Sequence, residues 1–175
     1  IINLLGLAFS LACSIILMRY IHRELTVDAH SVDPEHIIIP IRDIEGNLHP
    51  GSLQQGWSET DSVYIPDHQI VEQCRLMLQQ RDNVVYENSN YAMNIAAVDS
   101  TFFHFFHYPV AAGEAHLDAP GDAIITQHYA RNIFGKENPI GKVLEYCGKN
   151  ITIKGVIGEL GCKSLLRFDL LVSYR

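Results

Sequence analysis

The chain has 175 residues, 47% of them apolar and 19% charged, with a formal net charge of -7 at pH 7. That length holds one domain with a sizeable core, and the composition is that of a folded chain. The acidic balance argues against a general attraction to nucleic acid or to an anionic surface, so no nucleic-acid partner is expected.

Ile1 to Met18 carries no charge, and its polar residues are Asn3, Ser10 and Ser14. This apolar run lies at the low end of the roughly 17 to 25 residues that cross a bilayer, so residues 1–20 read as a membrane helix with part of its length upstream. The chain starts inside the run without a Met and ends just after a strand signal, and a fragment of a longer protein is the expectation. A secretory signal has a shorter apolar core before a small-residue cleavage site, whereas Ile15, Ile16, Leu17 and Met18 continue past every small residue. The same continuation counts against a lipoprotein signal ending at Cys13. Gly6, Ser10 and Ser14 recur every four residues, a spacing that lets a second helix approach closely. Small residues are common in membrane helices anyway, and the two readings weigh about equally. Arg19 and Arg23 would favour a cytoplasmic domain by the positive-inside tendency. Arg19 to Leu25 has no breaker, so the helix is expected to run on. Residues 21–31 read as a stalk or linker and 32–175 as a water-facing domain.

In that domain Ile37 to Ile41 is a β-branched run that predicts a first strand, followed by a loop through Asp43, Gly46 and Pro50 and an irregular stretch from Gly51 to Asp61. Pro66 and Asp67 open an expected helix with Ile70, Cys74, Met77 and Leu78 on one stripe, ending near Arg81 to Asn83. Val84 to Tyr86 and Tyr91 to Val98 read as strands about a turn at Asn88-Ser89-Asn90. Ser100 is placed to cap a short turn carrying Phe102, Phe103, Phe105 and Phe106. A brief acidic piece follows Pro109 and Gly113. Ala123 to Ile125 then form a buried-type strand, and Thr126 is placed to cap a helix whose Tyr129, Ala130, Ile133 and Phe134 share one face. Gly135 supplies a left-handed stop and Asn138-Pro139 forbids resumption. Val143 to Tyr146 and Ile151 to Ile157 pair as a hairpin about Gly148-Lys149, and Phe168 to Val172 is a last strand. The class is α+β, a mixed α/β order without regular alternation.

The strand, Thr126, Tyr129-Ala130, Phe134-Gly135 and Asn138-Pro139-Ile140-Gly141-Lys142 together resemble a segment of the extracytoplasmic domain of MacB/FtsX-like ABC transporter permeases, especially Bacteroides-type versions. Asn3 to Ala8, Glu24 to Asp28, Val98-Asp99 with Phe102-Phe103, Gly113-Glu114, Gly155-Val156 and Phe168-Asp169 fall in that family's order, while Ile39 to Asn90 carries little of the likeness. The resemblance implies a first transmembrane helix followed by a MacB-like periplasmic core domain, in the bacterial inner membrane with the part after residue 31 in the periplasm. That side is opposite to the one Arg19 and Arg23 favour. It further implies a homodimer or heterodimer of permeases in membrane lipid and a separate ABC ATPase subunit in the cytoplasm. The outer domain would do mechanical work on an exported or released substrate, with neither a catalytic residue nor a cofactor in this chain.

Residues offering chemistry are few. Gly135 to Lys142 has five residues between its glycines, Val143 after the Lys, and a helix before it, so it is a turn and no phosphate loop. His104 and His107 lie three apart without a completing ligand pattern for zinc, and exposed histidines beside an aromatic turn are the commoner reading. The phenylalanines read as core before surface. No Gly-x-Ser-x-Gly elbow is present. Asn150-Ile151-Thr152 fits a glycosylation acceptor but lies in a hairpin strand. Cys74 reads as a small core residue, and Cys147 and Cys162 as free thiols, since spacing alone does not pair them. Against the permease stand a membrane-tethered ligand-binding sensor and an anchored enzyme using His104 and His107.

Overall fold

As far as Met18 apolar side chains surround α1 (Ile2–Leu25) and leave it without a polar face, and its side chains from Asn3 to Leu25 are all exposed. Its 24 residues extend about 36 Å, enough for a hydrocarbon core of about 30 Å. The structure, a computed structural model, describes residues 2–37, 41–44, 47–50, 72–78 and 81–174. Thr26 closes the helix by donating its hydroxyl to the His22 carbonyl at 2.8 Å.

Two strands, β1 (Ile41–Ile44) and β2 (Asn47–Pro50), form an antiparallel hairpin of their own. The main sheet takes β3 (Leu76–Leu78), β4 (Asp82–Tyr86), β5 (Ser89–Met93), β6 (Ile95–Val98) and β7 (Val110–Gly113) from the first part of the domain. The later part adds β8 (Asp122–Thr126), β9 (Val143–Tyr146), β10 (Lys149–Ile157) and β11 (Leu170–Ser173). Their order is β3-β6-β11-β8-β10-β9-β4-β5, with β7 beside β10. The pairs β8–β10 and β6–β11 are parallel, so the sheet is mixed and the class is α+β. Two short helices complete it, α2 (Phe102–Phe105) and α3 (Gln127–Phe134).

Alternation divides the central strands between two buried faces. Ile95, Ala97, Ala123, Ile125, Leu170 and Val172 face α3, where Ala130 and Phe134 complete the layer. Ala96, Val98, Ile124 and Leu171 face the other way, against Phe102, Tyr108 and Phe168. Along β10 the phase is reset by a bulge at Lys154, so that Val156 joins Ile151 and Ile153 on the α3 face. Beside that bulge the chains cross so closely that only glycine fits: a Cβ on Gly113 (φ 70°) would lie 2.2 Å from the Lys154 carbonyl, and one on Gly155 would lie 2.1 Å from that of Glu114.

Several local expectations need correction. Residues 67–71 of the helix expected after Pro66 lie outside the described residues. Leu76–Leu78 is instead an edge strand on β6, and its side chains alternate, Met77 packing on one cluster and Leu76 on the other, where a helical stripe was expected. Residues 38–40 of the first expected strand, and 51–61, also lie outside the described set. The β4–β5 turn is Glu87-Asn88, both at positive φ (46° and 66°), the two-residue geometry that matches strand twist. For the same reason the β9–β10 turn is Cys147-Gly148 (51° and 70°), one residue earlier than expected. The strand expected over 91–98 breaks at Asn94, whose amide and side chain both donate to Asp169 Oδ2 at 2.8 and 2.9 Å. The turn before α2 is held by Asp99 rather than Ser100, Asp99 Oδ1 accepting from the Thr101 amide and hydroxyl. Thr126 stands at the start of α3, but its hydroxyl is buried without a hydrogen-bond partner among the described residues. Gly135 does end α3 at φ 62°, its amide reaching the Arg131 carbonyl.

Candidate functional site

The helix α1 meets the sheet domain at a small polar joint. Glu24, in the last turn of the helix, pairs with Lys163 Nζ at 3.0 Å. Four residues on, the backbone turns at Asp28 with φ 54°, a conformation Asp tolerates better than most side chains. There the Asp28 amide donates to the Lys163 carbonyl at 2.8 Å, and its carboxylate accepts from Ser164 Oγ at 2.8 Å and the Leu165 amide at 2.9 Å. The loop from Gly158 to Asp169, between β10 and β11, is thus the socket for the segment leaving the helix.

The other side of the joint is aromatic. His30 is buried, its ring 5.0 Å from Tyr108 edge-on and 5.7 Å from Phe106. The chain around it pairs with the segment after α2: Val32 N donates to Phe105 O at 2.9 Å and His107 N to His30 O at 2.7 Å. Burial lowers the His30 pKa from its ordinary value, with Asp28 partly opposing. Burial also pushes the Tyr108 hydroxyl well above the usual phenol range.

The same loop walls an open cleft of about 420 Å³ at the ends of β8 and β10. Leu160, Cys162, Arg167 and Phe168 line it from the loop, with Thr126 and His128 opposite. One segment therefore touches the chain leaving α1 on one side and an open cleft on the other.

The small residues Gly6, Ser10 and Ser14 are all exposed on α1, away from joint and cleft. Ser14 Oγ donates to the Ser10 carbonyl at 2.9 Å, and a Cβ on Gly6 would meet nothing within 4 Å. His104 and His107 do not converge: His104 Nδ1 pairs with Glu72 at 2.7 Å, while His107 enters the joint through its backbone. His116 sits between Glu114 and Asp118, both carboxylates on the same ring nitrogen, which makes that nitrogen a donor to them. Among the described residues no group of three or more His, Cys, Asp or Glu is arranged to hold a metal. All four cysteines are free.

The joint was only half visible in the sequence. Glu24 and Asp28 stand in the Glu-Leu-Thr-Val-Asp motif, but their partners Lys163, Ser164 and Leu165 lie more than 130 residues away in a loop without a motif. A basic residue and small polar groups between Gly161 and two leucines were the available signal, and they are too common to single out.

An apolar helix of bilayer-crossing length locked onto a mixed-sheet domain defines a helix-anchored α+β module. The family model of the MacB-like periplasmic core domain matches residues 1–175, and the chain belongs to that family, the periplasmic domains of ABC-type permeases. A domain of a protein described as a permease from Porphyromonas gingivalis has a similar fold, with TM-score 0.51 and 24% identity over 58% of this chain and 50% of that one. The periplasmic region of MacB from Actinobacillus actinomycetemcomitans aligns with TM-score 0.47 and 16% identity, over 58% of this chain and 47% of that one. The extracellular domain of the noncanonic ABC-type transporter YknZ from Gram-positive bacteria aligns with TM-score 0.46 and 18% identity, over 57% and 52%. The chain thus spans about half the length of these structures. No curated protein matches it.

Proposed function

We infer that this chain is the first membrane helix and outer domain of an ABC permease, and that it carries work from ATP hydrolysis on a separate cytoplasmic subunit to a substrate exported from, or released at, the outer face of the bacterial inner membrane. In this reading residues 1–20 lie in the bilayer, 21–31 form the stalk and the domain from 32 onward stands in the periplasm. The permease works as a homodimer or heterodimer in membrane lipid. The chain itself turns over no substrate.

The observation that supports this best is the joint. A helix that merely tethers a domain needs a flexible linker, whereas here the last helical turn and the segment after it are fixed to the sheet domain by Glu24–Lys163, the Asp28 contacts and the His30–His107 backbone bond. Movement of the helix must therefore drag the β10–β11 loop with it. The sensor reading would draw on the cleft instead, with a ligand moving the same loop.

Transmission is testable without knowing the substrate. In the reconstituted complex, ATP should change the amide protection of the outer domain, and Asp28→Ala should abolish that change while the partner's ATP hydrolysis persists. An ATP-dependent change that survives Asp28→Ala would remove the joint from the mechanism.

A further inference from the structure

We propose that His30 is a proton-operated release for the joint: as a neutral imidazole it seats the stalk against the domain, and on gaining a proton it leaves its socket and the joint opens. The inference concerns the joint itself and stands whether or not an ATPase drives it.

The seat is built for a neutral ring. The His30 side chain is 3% exposed, wedged against Phe106 and Tyr108. Its Nε2 is buried with no hydrogen-bond partner among the described residues, and its Nδ1 has Asp28 Oδ1 and Cys162 Sγ each at 4.0 Å. An imidazolium has two donors to satisfy, and in this socket neither reaches a strong acceptor.

The groups facing it from each side do not supply one. On its own segment stands Asp28, whose Oδ1 already accepts from Ser164 and Leu165, and further back Glu24, which is paired with Lys163. From the segment after α2 come Tyr108, whose hydroxyl is buried, and His107, whose side chain is exposed and whose amide holds the His30 carbonyl. From the β10–β11 loop come Cys162, Ser164 and the cation Lys163. Among the described residues Asp28 is thus the one unlike charge near the ring, and it is engaged elsewhere.

The sign follows from burial. His30 has its pKa lowered from 6.5 in the closed joint, chiefly by desolvation, while in an open joint it titrates as an ordinary histidine. Closure is therefore fully favoured above about pH 6.5 and weakens as pH falls through that value, levelling off below the closed joint's own lowered pKa. One pH unit below the open-state value, at about pH 5.5, the opening constant should rise by up to about 10-fold, the ceiling set by the open-state pKa.

The test is hydrogen exchange on the full chain in detergent at pH 7.5 and 5.5, with rates corrected for intrinsic chemistry. The amides of Asp28, Val32, His107 and Leu165 each close a joint hydrogen bond. They should exchange faster in acid, by up to about 10-fold, while amides of β8 and β10 hold, and His30→Phe should hold the joint at both pH values. Equal joint protection at both pH values in the unmodified chain, or the same acid acceleration in His30→Phe, overturns the proposal. If His30→Phe loses protection in β8 and β10, and so does not fold, the ring is followed by NMR in the unmodified chain. Protonation of His30 that coincides with loss of joint protection upholds the release, and protonation with the joint still protected overturns it.

Discussion

Replacing Asp28 with Ala removes the acceptor of two contacts that hold the segment after α1 to its socket, Ser164 Oγ at 2.8 Å and the Leu165 amide at 2.9 Å. Hydrogen bonds to a charged group are worth about 1.5–3 kcal/mol each, but the Asp28 side chain is 29% exposed, so water recovers part of both. Ala at φ 54° adds roughly 1 kcal/mol of backbone strain. The joint should weaken by about 2–4 kcal/mol, which raises its opening constant by about a hundredfold. Asp28→Asn keeps an acceptor oxygen and a side chain that tolerates the left-handed region, so it should cost about 1 kcal/mol. Exchange at the Leu165 amide reads the effect directly, in the order unmodified, Asn, Ala. If Leu165 exchanges in Asp28→Ala as it does in the unmodified chain, the carboxylate does not hold the loop and the reasoning fails.

Other expectations follow from the same structure. Gly113→Ala places a Cβ 2.2 Å from the Lys154 carbonyl at φ 70°, and thermal unfolding should show a loss of about 2–4 kcal/mol; an unchanged midpoint would mean that β7 and β10 do not cross this closely. Asp122 is buried and accepts from the amides of Asp118 and Ala119 at 3.2 and 2.9 Å, so Asp122→Ala should cost about 1–3 kcal/mol by denaturant titration. The Cys74 thiol is pushed up to about 12, first by burial and then by Asp99, whereas Cys147 is exposed. Maleimide at pH 8 should therefore modify Cys147 and spare Cys74, and prompt labelling of Cys74 in the folded chain would contradict its raised pKa. Changing Gly6, Ser10 and Ser14 together to Leu should lower dimer or bundle crosslinking in membranes, and undiminished crosslinking would remove them from any helix interface.

The elements most legible in the sequence were those whose local signals agree with their packing. The α3 segment carries its apolar face and its Gly135 stop within ten residues, and the structure returns both. Turn positions were off by one because two-residue hairpin turns place both central residues at positive φ, and Glu87 and Cys147 are not residues that advertise it. The stripe through Cys74, Met77 and Leu78 misled because three spaced apolar residues fit a helix as well as an edge strand, and only β6 decides between them. β7 has no alternation to read, since Val110 to Gly113 is mostly exposed and held by its crossing with β10. The motifs behind the family likeness turn out to be structural: Gly113 and Gly155 permit the crossing, Asp169 fixes the break at Asn94, and Asn138 Oδ1 accepts from the Ile140 amide in the turn after α3. The joint was hidden because one half of it has no pattern of its own.

In the proposed function, ATP hydrolysis elsewhere drives this domain through its helix. This is tested most directly by purifying the full-length protein from its native membrane in mild detergent and assaying the preparation for ATP hydrolysis. An accompanying ATPase, whose activity disappears when the partner's nucleotide site is mutated, is the expected result. A preparation that keeps other membrane complexes intact yet brings no ATPase with this protein would contradict it.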